Sequence, residues 1–561
     1  MPVLAQVDLR LDAGPLDYTL LAIYFVFVLG IGFLARRSVS SSLDFLLSGR
    51  SLPAWVTGLA FISANLGAIE LLGMAANGAQ YGMATVHYYW IGAIPAMVFL
   101  GLVMMPFYYG SKVRSVPEFL RRRFGKGAHL VNAISFAVAQ VLIAGVNLYA
   151  LAFLLNLMLG WPIPLSVVAA ALIVLAYTTL GGLSAAIYNE VLQFFVIVAA
   201  LLPLTIVGLH KVGGWQGLVD KVTAGPGGAE DLSAWPATNL TGIENPVLSV
   251  IGIVFGLGFV LSFGYWTTNF AEVQRALSAK SMSAARRTPI IGAYPKMLIP
   301  FVVIIPGIIA ALVVPEMAAL KAGDDSSGAV PNNALPALIG ELLPNGMLGI
   351  AITGLLASFM AGVAANVSSF NTVFTYDLWQ DYVKKDRPDE YYLRVGRLAT
   401  IGGTLVAIGT AFLAAGYGNI MDYIQALFSF FNAPLFATFI LAMFWKRMSA
   451  AAGWSGLVAG TLAAVAVFVL AETGVLDLPG QGASFIGAGA AFAVDIVVSV
   501  VVTTFTRPVP EERLVGLVYS LTPKEDRRHS TTGDDAGWYR SPLLLGIGVL
   551  LLTAVLNIIF G

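Results

Sequence analysis

The sequence predicts an all-α protein that crosses the membrane about fourteen times through short-looped helices. Of its 561 residues, 58% are hydrophobic and only 11% are charged, whereas about 25% of residues are charged in soluble domains. The mean hydropathy is +0.82. Apolar stretches long enough to cross the hydrocarbon, about 20 residues each, recur along the whole chain. This composition excludes a soluble globular protein.

The charge balance and the missing residue types exclude further classes. Lys and Arg number 31, as do Asp and Glu, so the chain has no global basic face for nucleic acid. Cysteine is absent and the four histidines are scattered, which excludes thiolate metal sites and disulfides. We expect no enzyme, no cofactor except a sodium ion, no nucleic acid and no obligate protein partner. The expected partners are the lipid bilayer and a small polar solute.

Hydropathy predicts the individual spans in chain order. They are 17–35, 53–79, 83–109, 128–159, 163–180, 184–209, 247–264, 288–314, 346–375, 397–416, 420–445, 450–471, 482–505 and 541–560. The first is a retained helix rather than a signal peptide, because Asp8, Asp12 and Asp17 precede it while Arg36 and Arg37 follow it.

The distribution of positive charge predicts the orientation. With fourteen spans and the N-terminus outside, the inner loops hold 26 of the 31 Lys and Arg residues. The outer loops hold only Arg10, Lys211, Lys221 and Lys321. We therefore expect a multi-pass protein of the plasma (inner) membrane with a cytoplasmic loop near 506–540.

Polar residues within spans are candidates for function, because an ionisable group in hydrocarbon is expensive unless it is paired or faces a cavity. The second span carries Asn65 and Glu70 around Gly67, where a helix break would free backbone carbonyls for a cation. The alternative is that its glycines only permit close packing. Lys296 either faces a central cavity beside Glu70 or extends to the inner surface. Asp495 has no evident partner.

Six segments carry a resemblance to a known family. They are LSGRSLPAWVTGLAFISANLGA (47–68), SVPEFLRRRFG (115–125), YTTLGGLSAAIYNEVLQ (177–193), VQRALSAKSMSAARR (273–287), TVFTYDLWQDY (372–382) and YIQALFSF (423–430). In this order the chain resembles the sodium/solute symporters, and among them the sodium–glucose cotransporter branch.

The resemblance implies a LeuT-like fold of two inverted five-helix repeats, with one helix before them and three after. The implied divisions are an outer segment with the first helix (1–46), a first repeat (47–209), an outer loop (210–246), a second repeat (247–447) and a C-terminal part (448–561). The first helix of each repeat would be broken at mid-membrane. In the second repeat, Gly256, Gly258 and Gly264 mark the expected break.

The resemblance also implies a solute site at the two breaks. Asn65, Tyr88, Lys296 and Gln425 stand at substrate-facing positions of the sugar branch, Glu70 replaces a glutamine there, and Tyr265 matches an aromatic inner gate. Three positions differ, with Tyr89 in place of a glutamate and Ser262 and Ile143 in place of asparagines. These changes weaken the case for glucose or galactose. Glu70 beside Lys296 favours a solute with both charges or a smaller polar one.

The implied sodium site departs further from the family pattern. Its ligands would be the carbonyls of Ser63, Leu66 and Ser358 together with side chains at Ala361 and Gly362, but the two family hydroxyls are missing there. The family's nearby aspartate is Glu190, which is a candidate for coupling.

These residues leave three functions open. The first is cation-coupled symport of a small polar solute by alternating access, with sodium as the family's ion. The second is proton-coupled or uncoupled transport, in which Glu190 or Glu70 would carry the proton. The third is a membrane sensor module of a signalling complex.

Overall fold

The computed structural model describes residues 11–35, 41–324, 326, 328–478, 481–522 and 537–561. Its regular elements within those ranges are helices, joined in two places by isolated β-bridges, Leu52 with Ala279 and Ser449 with Pro508. Residues 1–10, Arg36, Arg37 and the 523–536 part of the predicted cytoplasmic loop lie outside the described residues.

Fifteen main helices can be numbered in chain order within the described ranges. They are α1 (Pro15–Ala35), α2 (Ala54–Asn65), α3 (Ile69–Val86), α4 (Tyr88–Gly110), α5 (Lys126–Leu159), α6 (Ile163–Val212), α7 (Pro246–Thr268), α8 (Phe270–Leu277), α9 (Met282–Val313), α10 (Met347–Val383), α11 (Asp389–Ala414), α12 (Ile420–Phe444), α13 (Ala450–Glu472), α14 (Gly482–Phe505) and α15 (Pro542–Ile559).

The predicted spans coincide with apolar helices. Eleven helices of the described chain are long and apolar enough to cross a membrane, and the bent pair α2–α3 adds a twelfth span. Two shorter apolar helices, Pro15–Ile31 and Ile163–Ala176, match the first and fifth predicted spans. The all-helical membrane fold is thus confirmed, while fourteen crossings, their orientation and the repeat boundaries stay predictions.

The helices differ in how deeply they are buried in the protein. In α10 the most apolar window is 89% buried and in α5 it is 83% buried, whereas in α13 and α15 it is 22% buried. Because a helix with a largely exposed apolar surface needs lipid around it, α13 and α15 lie at the periphery. The two most buried helices carry predicted site residues themselves, with Ile143 on α5 and Ser358, Ala361 and Gly362 on α10.

The break predicted in the first repeat is present. Helix α2 ends at Asn65, α3 begins at Ile69, and their axes differ by 58°. Leu66 closes α2 by donating its N–H to the carbonyls of Ile62 and Ser63, both at 3.0 Å. At Gly67, a Cβ atom would lie 2.4 Å from Oδ1 of Asn147, so only glycine fits there.

The break in the second repeat lies elsewhere than predicted. The chain leaves the helix at Asn269 (φ −69°, ψ 112°), between α7 and α8, and not at Gly256, Gly258 or Gly264. Those glycines lie in helical turns and allow close packing; a Cβ atom on Gly264 would be 2.8 Å from the carbonyl oxygen of Asn432. Asn269 caps α8 by accepting the N–H of Ala271 at 3.1 Å.

Asp495 has partners that the sequence did not suggest. Its carboxylate accepts hydrogen bonds from Thr438 at 2.7 Å and from Ser499 at 3.1 Å, so it joins α12 to α14. It is fully buried at this peripheral contact.

Candidate solute and cation sites

A central cavity lies beside the break between α2 and α3 and is closed laterally by α4, α7 and α12. It has a volume of about 480 Å³, including its open parts. Seven of the eight predicted solute residues line it: Asn65, Glu70, Tyr88, Tyr89, Ser262, Tyr265 and Gln425. The eighth, Lys296, reaches the same place from α9, where it bonds to Glu70. The structure therefore brings together every residue of the predicted solute site.

Lys296 and Glu70 form a buried ion pair at the edge of this cavity. The Lys296 ammonium lies 2.6 Å from Oε1 of Glu70 and also donates to Oδ1 of Asn65. The other carboxylate oxygen of Glu70 accepts the hydroxyl proton of Tyr89. Lys296 is 1% exposed, so the alternative in which it extends to the inner surface is excluded. A buried pair with its remaining positions hydrogen-bonded adds no net charge to the site.

Two aromatic rings border the ammonium of Lys296. Its nitrogen lies 4.9 Å from the ring centre of Tyr89 and 5.0 Å from that of Trp266. Rings at this distance attract a cation through their quadrupole and further offset its removal from water.

Tyr265 bounds the cavity on the predicted inner side. Its hydroxyl accepts a hydrogen bond from Asn65 at 2.7 Å and donates to Oε1 of Glu272 at 2.9 Å. Its ring lies 4.6 Å from that of Phe428, and Phe428 also lines a second cavity toward the predicted inner end. The Tyr265 and Phe428 rings thus stand between the two cavities. Ile143, at the third altered family position, lines the second cavity.

Tyr88 bounds the cavity on the predicted outer side. Its hydroxyl donates to Oε1 of Gln481, whose amide nitrogen donates to Asp422 at 3.1 Å and to Asn77 at 3.2 Å. This network ties α3, α4 and α12 to the start of α14. Gln425, one turn along from Asp422, keeps a buried side-chain oxygen with no hydrogen-bond partner among the described residues.

Ser262 lines the cavity from α7 and packs against α4. A Cβ atom at Gly92 would lie 2.3 Å from the Ser262 hydroxyl oxygen, so the glycine allows the two helices to approach.

The predicted cation residues meet at the first break. The Ser358 hydroxyl, on α10, donates to the carbonyl oxygen of Leu66, which supports the alignment of α10 with the family pattern. Gly362, one turn further along α10, packs directly against Gly67. The hydroxyl of Ser63 is buried without a hydrogen-bond partner among the described residues. Oxygen atoms of this kind suit a hard monovalent cation, although Ala361 and Gly362 supply no side-chain oxygen.

Glu190, the coupling candidate, pairs with Arg275 of α8. Its two carboxylate oxygens accept from the guanidinium, with Nε at 3.3 Å from Oε2 and with Nη2 bonded to Oε1. Both residues are fully buried. Arg275 is one of the 26 Lys and Arg residues that the charge distribution assigns to inner loops. The break at Asn269 places it on a buried helix, where it contacts α6. The coupling role of Glu190 stays a prediction.

Comparison with known proteins decides the family. A model described as the sodium:solute symporter family matches residues 45–460. The chain belongs to this family. It is 30% identical to a sodium/glucose cotransporter of Vibrio parahaemolyticus over 465 residues, which covers 79% of this chain and 83% of the relative. It is also 30% identical to sodium/glucose cotransporter 4 of Danio rerio over 555 residues, covering 93% and 84%.

A solved structure supports the fold. The symporter is similar to a Na⁺-coupled sialic acid symporter in a substrate-bound outward-open state, with a TM-score of 0.72 and 20% sequence identity. The match covers 89% of this chain and 100% of the solved one. Family and fold together establish a sodium-coupled symporter that works by alternating access and is not an enzyme. They do not favour proton coupling or a sensor function.

Sequence reasoning missed several residues of these two sites. Asn147 at the first break and Glu272 below Tyr265 were not singled out, and neither was Gln481 on the outer side. A signal existed for one of them: Asn269 followed three residues later by Glu272 is the pattern of a helix start, which would have located the second break. Asn147 lies in a long apolar span and gives no such signal.

Proposed function

We propose that this symporter carries one neutral, hydroxyl-rich solute of the monosaccharide class together with sodium. The observation that carries the proposal is the ion pair of Glu70 and Lys296 at 2.6 Å. Each charge of the cavity wall is already matched by the other, so the site offers hydrogen bonds rather than a net charge to its solute.

This pairing argues against the doubly charged solute that the sequence favoured. A solute carboxylate would have to displace Glu70 from Lys296, and a solute ammonium would have to displace Lys296 from Glu70. Either exchange alone would leave a buried charge without its partner, which costs about 3–5 kcal/mol. A solute with both charges would have to make the two exchanges together and rearrange a pair that Asn65 and Tyr89 already complete. A neutral solute keeps the pair intact and uses its outer faces, together with Asn65 and Tyr89, as donors and acceptors.

The rest of the cavity wall suits a ring with polar edges and apolar faces. Tyr265 and Phe428 offer flat aromatic surfaces, against which the C–H faces of a sugar ring can pack. The unpartnered oxygen of Gln425 is an acceptor for a solute hydroxyl. A buried acceptor without a hydrogen bond is costly, so a solute hydroxyl that donates to this oxygen would stabilise the bound state. The names of the relatives, sodium/glucose cotransporters, agree with this class.

The two boundaries of the cavity act as gates in this proposal. The Tyr88–Gln481 network closes the outer side, and Tyr265 with Phe428 closes the inner side. Alternating access then requires that one set of contacts opens while the other persists. Sodium at the first break favours one of these states and couples its gradient to the solute.

Uptake into proteoliposomes tests the proposal. An inward sodium gradient should drive accumulation of a radiolabelled hexose, and an ionophore that collapses the gradient should abolish it. The matched competitors are an unlabelled hexose and the corresponding hexuronate, which differ by one carboxylate, together with a zwitterionic amino acid. We expect competition by the hexose alone. Stronger competition by the hexuronate or the amino acid would contradict a neutral solute.

A further inference from the structure

Asn147 stands at the centre of the first helix break although it belongs to another helix, α5. Its side chain is 2% exposed. Its Oδ1 accepts the N–H of Ala68 at 2.8 Å, and its Nδ2 donates to the carbonyl of Ile143 at 3.2 Å. The amide orientation is thus fixed, with the oxygen directed at the residues of the break.

The side-chain oxygen of Asn147 occupies space that a side chain at Gly67 or Gly362 would otherwise need. A Cβ atom at Gly362 would lie 2.2 Å from Oδ1, and one at Gly67 would lie 2.4 Å from it. A serine hydroxyl at position 362 would therefore compete with Oδ1 for the same space. The two glycines and the asparagine form one unit, in which α5 supplies an oxygen where α10 has none.

Other oxygens lie on the residues that form the same break. The carbonyl of Leu66 and the hydroxyl of Ser358 meet there in a hydrogen bond. Ser63, one turn before the break, has a fully buried hydroxyl oxygen without a partner among the described residues. A buried oxygen left without a partner is costly unless a cation or water satisfies it.

We propose that Oδ1 of Asn147 is a ligand of the transported sodium ion and takes the place of the hydroxyl missing at Gly362. The inference rests on the symport function and on the cation site at the first break. An amide oxygen is a hard ligand, like the carbonyls beside it, and it carries a second lone pair beyond the one that accepts from Ala68. An oxygen of α5 thus replaces one of the two hydroxyl ligands that are missing from α10.

The competing interpretation is that Asn147 only caps the N-terminal end of α3 through Ala68. A cap supports the fold equally in any salt, whereas a ligand supports it only when its ion is present. Purified protein in detergent, without solute, therefore separates the two. The measurement is the unfolding temperature in NaCl and in KCl at constant ionic strength, together with equilibrium binding of ²²Na⁺.

Three variants and one control make the test specific. Asn147→Ala removes the proposed ligand, Gly362→Ser adds a hydroxyl that collides with Oδ1, and the double variant exchanges one oxygen for the other. The control is Asn371→Ala on α10. Asn371 is also 2% exposed and makes two side-chain hydrogen bonds, to Thr400 at 3.0 Å and from Thr375 at 2.9 Å.

We expect the half-saturating sodium concentration to rise by about tenfold or more in Asn147→Ala, because removing a group from the surroundings of a bound metal ion commonly weakens its binding by this factor. Gly362→Ser should also weaken sodium binding, and the double variant should recover it relative to Asn147→Ala. Asn371→Ala should lower the unfolding temperature equally in both salts and leave sodium binding unchanged.

An equal loss of stability in both salts for Asn147→Ala, with unchanged ²²Na⁺ binding, would overturn the inference and leave Asn147 as a cap. If the double variant did not recover sodium binding, the claim that Asn147 takes the place of a hydroxyl at position 362 would be wrong. Failure of the wild type itself to bind sodium would instead remove the cation site at the break, on which the proposed coupling depends. The two failures are therefore distinguishable.

Discussion

Two buried ion pairs join the first part of the chain to the second, and they differ in their surroundings. Glu70 of α3 pairs with Lys296 of α9, and Glu190 of α6 pairs with Arg275 of α8. The first pair borders the central cavity through Glu70 and is completed by Asn65 and Tyr89. The second lines no part of that cavity.

The second pair is completed by one backbone carbonyl and one side-chain oxygen, neither of which lines the central cavity. Arg275 donates to the carbonyl of Ala271 at 2.7 Å and to the side-chain oxygen of Gln274 at 3.4 Å. It therefore fastens α8, which begins directly below the inner boundary of the cavity, to α6. The same chemistry borders the proposed solute site in one place and joins two helices in the other. A charge in the membrane does not by itself indicate a solute site, and contact with the cavity is what distinguishes the first pair.

The largest expected effect comes from removing one cation of either pair. Lys296→Met and Arg275→Met should each leave a buried carboxylate unpaired and lower the free energy of unfolding by about 3–5 kcal/mol. The double variants Glu70→Gln/Lys296→Met and Glu190→Gln/Arg275→Met should recover most of that stability. Thermal unfolding in detergent measures all four.

Solute binding then distinguishes the two double variants. Added solute should no longer raise the unfolding temperature of Glu70→Gln/Lys296→Met, because the recognition groups are gone. It should still do so for Glu190→Gln/Arg275→Met. Loss of the solute response in both would show that the two pairs do not differ in function.

Sequence reasoning could reach the first pair but not the second. Glu70 and Lys296 each lie in an apolar span, where an unpaired charge is costly. Each could therefore be identified as a candidate functional residue from the sequence alone. Arg275 follows a span that hydropathy ends at 264, and a basic residue there is typical of an inner loop. Its return to the bundle depends on the break at Asn269, which hydropathy does not register.

The cation site illustrates the same limit. Gly67 in mid-membrane predicted a break with free backbone carbonyls, and the family resemblance implied that Ser63 and Leu66 supply them. The oxygen of Asn147 could not be predicted, because its position depends on how α5 packs against α10. Close packing of helices is set by side-chain shape at the contact, and hydropathy carries no information on it.

A smaller loss of stability is expected from changing Tyr265, which links Asn65 at the cavity to Glu272 on α8. Tyr265→Phe removes the hydroxyl that links Asn65 to Glu272. The buried groups left without this hydrogen-bond partner should lower the free energy of unfolding by about 1–3 kcal/mol. The inner boundary should then open more often. The chain has no cysteine, so Ser135→Cys in the second cavity gives a single label site. Labelling by a maleimide should be several-fold faster in the Tyr265→Phe background.

The rate with solute present provides the control for this prediction. Solute packed against Tyr265 should slow labelling in the wild-type background and slow it less in Tyr265→Phe. An unchanged rate in both backgrounds would mean that Tyr265 does not limit access from the predicted inner side.

A localised effect is expected at Tyr89, whose hydroxyl donates to Glu70 and whose ring borders the Lys296 ammonium. Tyr89→Phe removes one charge-assisted hydrogen bond to Glu70, worth about 1.5–3 kcal/mol, part of which water can replace. Solute affinity should fall by about tenfold or less, while the half-saturating sodium concentration stays the same. Tyr108→Phe is the matched control, because the Tyr108 hydroxyl is buried and donates to the carbonyl of Thr267 at 3.0 Å, outside the central cavity. If the two variants lowered solute affinity equally, the loss would reflect general packing, and the hydrogen bond to Glu70 would have no part in recognition.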